Sequence, residues 1–171
     1  MSDPKLDIVF FDIDDTLFAT TEFARHARRD AVAAMVEAGL KVDVEAAYSE
    51  LKEFVAEFSS NYPNHFARLL DRLGPESYPN RNPAVLTAIG VVAYHRAKGA
   101  LSIQGDARDL LERLKQAGVR AGVISAGLSV KQAEKLVRLD VLDYFDPTAI
   151  FFTEHMGISK PNPKLFSYDT E

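Results

Sequence analysis

The segment Asp7-Ile8-Val9-Phe10-Phe11-Asp12-Ile13-Asp14-Asp15-Thr16 joins two opposed characters. Its first half is β-branched and aromatic with no polar alternation, the pattern of a strand buried on both faces, as in a parallel sheet. Its second half breaks into three carboxylates within four residues. From Glu22 to about Leu73 the pattern is helical. Val32, Met35 and Val36 recur at one helical spacing and Leu51, Phe54, Val55 and Phe58 at another, with Gly39 and the charges after it between them. Gly74-Pro75 through Asn82-Pro83 reads as a turn-rich connection, followed by an apolar helix from Pro83 to about Lys98. The period then changes. Leu110, Leu111 and Leu114 mark a short helix that stops at Gly118. Val119–Ser125 reads as a second buried strand, Val130–Leu139 as a helix capped by Ser129, and Ala149–Thr153 as a third strand. Strands alternating with helices of this length imply βαβ units and a parallel sheet. The expected architecture is α/β: a Rossmann-like core from residues 1–18 and 103–171, interrupted by an all-helical domain over 19–102.

The composition excludes several classes. Of 171 residues, 47% are hydrophobic and 26% charged, which is too apolar for a disordered chain. A net charge of −5 gives no electrostatic push toward nucleic acid. There is no cysteine, hence no disulfide, thiolate metal site or Cys nucleophile, which fits a reducing cytosol. No apolar run approaches the roughly 20 residues of a bilayer span, and Met1-Ser2-Asp3-Pro4-Lys5 lacks the layout of a signal peptide. A cytoplasmic protein with neither a membrane nor a nucleic-acid partner is expected.

In open α/β sheets, ligands bind at the carboxyl ends of the strands. The first strand delivers Asp12, Asp14, Asp15 and Thr16 there; the second delivers Ser125-Ala126-Gly127; the third leads to Lys160-Pro161-Asn162-Pro163. Crowded carboxylates repel one another, and a divalent cation would relieve that. Hard oxygen ligands suit Mg²⁺, which also takes a substrate phosphate. Asp12 and Asp14 could divide labour as nucleophile and proton donor. Asp15 or Thr16 could equally cap the next helix. Ser125 lacks the Gly-x-Ser-x-Gly of a nucleophile elbow, and suits phosphate binding better beside the Ala126 and Gly127 amides. Lys160, in a stiff loop, could neutralise both carboxylates and phosphate.

The strand followed by Asp12-x-Asp14-x-Thr16, Ser125 after a second strand, and Lys160 in Lys-Pro-Asn-Pro resemble the first three motifs of the haloacid dehalogenase-like (HAD) superfamily. The segment from Thr20 to about Ser102 is similar to the helical cap inserted after the first motif in one subfamily. The resemblance implies a Mg²⁺-dependent phosphatase acting on a small phosphorylated metabolite through an aspartyl-phosphate. It implies that Asp12 is the nucleophile and Asp14 the general acid and base. Mg²⁺ would be held by the Asp12 carboxylate and the Asp14 carbonyl, with Ser125 and Lys160 on the phosphoryl group. The family's dehalogenases lack a carboxylate two residues after the nucleophile, so Asp14 favours phosphoryl chemistry. The same core also serves phosphomutases and other transferases.

The family's fourth motif, a Gly-Asp followed by another acid on a further strand, is not met. Gly105-Asp106 imitates it but precedes the second strand, where Asp106 should be a cap or first-turn acid. The chain stops at Glu171, a few residues into what reads as a new helix. Truncation is expected from this, with a missing metal ligand, a phosphate-binding remnant as one consequence, and an uncovered sheet edge inviting a homo-oligomer.

Overall fold

Three short parallel strands carry the α/β part of the molecule: β1 (Ile8–Phe11), β2 (Arg120–Ser125) and β3 (Ile150–Phe152), in the order β1-β2-β3. The computed structural model describes residues 6–166. Phe11 pairs with Val123, and Val123 with Ile150. Asp12 therefore leaves β1 beside the last residues of β2, so the carboxyl ends of the two strands open on the same edge. Around the sheet, Phe11, Ile13, Leu17, Leu111, Val123, Ile124, Leu136, Val141 and Phe145 are buried. Helix α5 (Gly105–Gln116) packs on β2.

Gly122 has no side chain for a steric reason. It lies opposite Phe10 in the register, and a Cβ there would come 2.5 Å from Phe10 Cε1 and 2.7 Å from the Ala149 carbonyl oxygen. A ring can turn, but a strand-end carbonyl cannot easily retreat. Gly122→Ala should cost about 1–3 kcal/mol through overpacking. Chemical denaturation would read this as a lower midpoint at unchanged slope; an unchanged midpoint would mean that β3 shifts freely.

The structure moves three expected boundaries. Ala149 belongs to a 3₁₀ turn (Pro147–Ala149), opened by Asp146, whose Oδ1 accepts the Thr148 N–H at 2.8 Å. Thr153 starts the four-residue helix α7 (Thr153–Met156), so β3 is shorter at both ends. Ser129 is the first residue of α6 (Ser129–Arg138) rather than its cap, because Glu154 Oε2 accepts the Ser129 N–H at 2.7 Å. A cap from a distant carboxylate is invisible to local pattern. Asp106 sits in the first turn of α5 and accepts the Ala107 N–H at 2.9 Å, as a first-turn acid should.

The described residues divide into two compact units: those up to Thr21 with those from Leu101 onward, and Glu22–Ala100. The second is all-helical. It is built from most of α1 (Thr20–Glu37) with α2 (Val44–Phe58), α3 (His65–Leu73) and α4 (Pro83–Ala97). Val32 and Met35 of α1 pack with Leu51, Phe66, Leu69, Leu70 and Leu86 in one core. Where the sequence shows two helical spacings up to Leu73, the structure has three helices. The extra break lies between Ser59 and Asn64, both at positive φ. Asp43 and Asn82 cap α2 and α4 with their carboxylate and amide oxygens, and Pro83 opens α4. Among the described residues no helix is long and apolar enough to cross a membrane. Residues 167–171, read above as an unfinished helix, lie outside the described residues.

Candidate active site

The turn after β1 sends its three carboxylates to three different sets of partners. Asp12 Oδ1 accepts the Ile13 N–H at 2.8 Å and pairs with Lys160 Nζ at 2.9 Å. Its Oδ2 has no partner among the described residues. Asp14 faces α6: its Oδ1 accepts from Thr20 Oγ1 at 2.7 Å and from Lys135 Nζ, and its Oδ2 accepts from Gln132 Nε2 at 3.0 Å. Asp15 turns the other way and receives the Thr21 N–H at 2.9 Å and the Thr21 hydroxyl at 2.5 Å, capping α1. Its φ of 54° is the left-handed conformation that this short polar side chain tolerates.

Carboxylate crowding is relieved here by side chains of the protein, one cation each for Asp12 and Asp14 and a helix start for Asp15. The reversal of Asp14 and Asp15 around a left-handed residue is what separates them. Thr16 takes no capping role in its side chain; its N–H donates to the Ile13 carbonyl at 3.4 Å, and Leu17, fully buried, follows.

Ionisation follows from these partners. Burial pushes the Asp14 carboxyl up, but hydrogen bonds from Lys135, Thr20 and Gln132, with the Lys135 charge, outweigh it and hold the group below the ordinary carboxylate value. Every neighbour of Asp14 here is a donor, so the arrangement describes its base form. Glu154 is held low by the Ser129 N–H that it accepts.

Ser125 closes β2, fully buried, and its hydroxyl finds no acceptor among the described residues. A buried hydroxyl with no partner is unusual enough to require a reason. Lys160 sits in a turn made firm by its own backbone: the Asn162 N–H donates to the Ser159 carbonyl at 3.0 Å, the Leu165 N–H to the Asn162 carbonyl at 3.1 Å, and Leu165 is buried. The Lys160–Pro161 peptide is cis. Of the expected site residues, then, Asp12 and Lys160 meet directly, while Asp14 is bound by residues the sequence reading did not single out.

Those residues are Thr20, Gln132 and Lys135. A signal for two of them existed. On α6, Gln132 is in phase with Leu136 and Leu139, on the face that the periodicity buries, and Lys135 adjoins it. A buried polar residue in a leucine stripe needs a partner.

No cluster of three or more His, Asp or Glu groups that would grip a metal occurs among the described residues. The donors that are present nonetheless fit a hard divalent cation that keeps part of its water. Asp12 offers a carboxylate on a side chain 40% exposed, and Mg²⁺ is commonly held by one or two carboxylates plus substrate phosphate.

A nucleophile-type carboxylate after the first strand, a buried hydroxyl after the second and a lysine paired back to the first carboxylate define a HAD-type core. The chain belongs to the haloacid dehalogenase-like hydrolase family, whose model matches residues 6–168. It is 44% identical over 161 residues to a glyceraldehyde 3-phosphate phosphatase of Methanopyrus kandleri, an alignment covering 92% of this chain and 66% of that protein. The glyceraldehyde 3-phosphate phosphatase of Pyrococcus abyssi is 46% identical over 160 residues, covering 93% and 64% respectively. The chain thus spans 64–66% of the length of these curated relatives. Among solved structures, a HAD family hydrolase from Deinococcus radiodurans R1 with bound phosphate and sodium superposes with a TM-score of 0.60 at 18% identity, over 95% of this chain and 65% of that one. That likeness shows the shared fold.

Proposed function

We propose that this chain carries the phosphoryl-transfer centre of a phosphatase for a small phosphorylated metabolite, with glyceraldehyde 3-phosphate as the first substrate to test. The observation that carries the reading is the state of Asp12. One oxygen is held by Lys160 and a backbone amide, and the other has no partner among the described residues, on a side chain 40% exposed. The 44–46% identity to phosphatases named for that triose phosphate supports the substrate class.

In this mechanism Asp12 Oδ2 attacks phosphorus and the ester oxygen leaves, giving an aspartyl-phosphate. Asp14, protonated for this step, gives its proton to the departing oxygen; the resulting carboxylate then takes a proton from the water that hydrolyses the acyl phosphate. Lys160 offsets charge on the phosphoryl oxygens. Ser125 donates its uncommitted hydroxyl proton to one of them, which is the reason proposed for its lack of a protein acceptor. The Asp12 carboxylate and the Asp14 main-chain carbonyl would hold Mg²⁺, which when bound would supply further charge neutralisation. The helical unit is proposed as the cap that selects the rest of the substrate, and the cytoplasm as its setting.

The test is release of inorganic phosphate from glyceraldehyde 3-phosphate, glycerol 3-phosphate, a hexose phosphate and a nucleoside monophosphate, each with Mg²⁺ and with EDTA. Preferential, Mg²⁺-dependent hydrolysis of the three-carbon esters is expected. Folded protein that releases no phosphate from any of them would overturn the reading.

A further inference from the structure

Helix α6 turns an unexpected face to the protein. Val130 and Val137 are 83% and 62% exposed, while Gln132 is 5% exposed. Burying an amide while leaving valines in water runs against the hydrophobic effect unless the amide has work to do. Gln132 Nε2 donates one proton to the Ala126 carbonyl at 2.8 Å and the other to Asp14 Oδ2 at 3.0 Å. Its Oε1 accepts from Lys135 Nζ at 3.1 Å, and the same ammonium reaches Asp14 Oδ1. Asp14, Gln132 and Lys135 therefore close a hydrogen-bonded ring, anchored through Ala126 to the turn that follows Ser125. Gly127 makes room for it: its φ is +119°, and a Cβ there would stand 2.9 Å from Gln132 Nε2.

We infer that Lys135, braced by Gln132, is the positioning residue for Asp14, aiming a single carboxylate oxygen, Oδ2, at the ester oxygen that leaves. An ionised carboxylate has about four lone-pair sites. Three are filled here: two on Oδ1 by Thr20 and Lys135, and one on Oδ2 by Gln132. The proton that Asp14 gives and takes must use the remaining site on Oδ2. The two donors on Oδ1 fix the plane of the carboxylate, so a proton transfer that requires aim is set up before substrate arrives. This rests on the phosphatase reading above, because it assigns a part in Asp14's proposed chemistry.

The experiment compares kcat/KM for an alkyl ester, glycerol 3-phosphate or the triose phosphate, with that for p-nitrophenyl phosphate, whose leaving group departs without needing a proton. Lys135→Met keeps the stem and removes the ammonium. It should lower kcat/KM for the alkyl ester by roughly 10²-fold and for the aryl ester by less than tenfold, with KM for the alkyl ester little changed. Lys135→Arg should restore a good part of the alkyl activity. The ratio of the two substrates does not depend on the fraction of protein that folds, so it stays readable in a poorly folding variant. Equal losses on both esters, a change confined to KM, or full activity in Lys135→Met would overturn the inference while leaving the phosphatase standing. Wild-type protein that turns over neither ester would overturn the phosphatase reading, and this inference with it.

Discussion

Asp12→Asn should reduce phosphate release to background, since loss of a nucleophile costs on the order of 10⁶ in kcat. The amide keeps the shape of the side chain and can still accept from the Ile13 N–H, which now lies 2.8 Å from Oδ1. What it loses is the anionic oxygen that attacks phosphorus. Folding should be almost indifferent to the change. The ion pair with Lys160 joins side chains 40% and 31% exposed, and pairs of that kind contribute about 0–1 kcal/mol. Acid quenching of the wild type during turnover should trap phosphate on a peptide containing Asp12 in a form labile to hydroxylamine, and the Asn variant should trap none. A well-folded Asp12→Asn protein with wild-type kcat would remove the covalent mechanism altogether.

Asp14→Asn is expected to act differently. General acid and base help contributes ~10²–10⁴ in rate, and Asp14 is proposed to serve both halves of the reaction. With an alkyl phosphate, departure of the alcohol should become slow, and kcat should fall by that factor. With p-nitrophenyl phosphate the first half should survive while hydrolysis of the acyl phosphate slows. A burst of nitrophenol, one per active site at most, would then precede slow turnover. The combination of burst and slow steady state identifies the residue as acid and base in turn. An Asn variant within tenfold of wild type on the alkyl ester, with no burst on the aryl ester, would assign proton transfer elsewhere. An Asn at this position can still accept from Thr20 and Lys135 through its single oxygen, but its amide nitrogen cannot accept from Gln132 Nε2, so the ring around it should persist only in part.

Several features of this chain were legible before any coordinates. The run Ile8–Phe11 is β-branched and aromatic without alternation, and it is a strand within one residue of expectation. Its carboxylates and the lysine in Lys160-Pro161-Asn162-Pro163 were recognisable as partners, and Asp12 and Lys160 do meet. Of the four helices between Thr20 and Ala97, apolar spacing announces α1, α2 and, from Pro83, α4, while the break that separates α3 was not read. These are local signals, carried by residues a few positions apart, and local backbone physics is enough to read them.

Tertiary structure alone decided what each carboxylate does. Asp12, Asp14 and Asp15 are near neighbours in the chain, and nothing in their order says that one faces a lysine, one faces α6 and one caps α1. Asp14 lies 121 positions from the ammonium that holds it. Glu154 caps α6 from 25 positions away, which displaced Ser129 from the role its type suggested. Amino-acid order thus determined the parallel sheet, the helical unit and the family, because hydrophobic period and short motifs act over a few residues. Folding decided which acid meets Lys160 and which is bound by Gln132 and Lys135, because ionisation and orientation depend on through-space neighbours that the linear chain does not juxtapose.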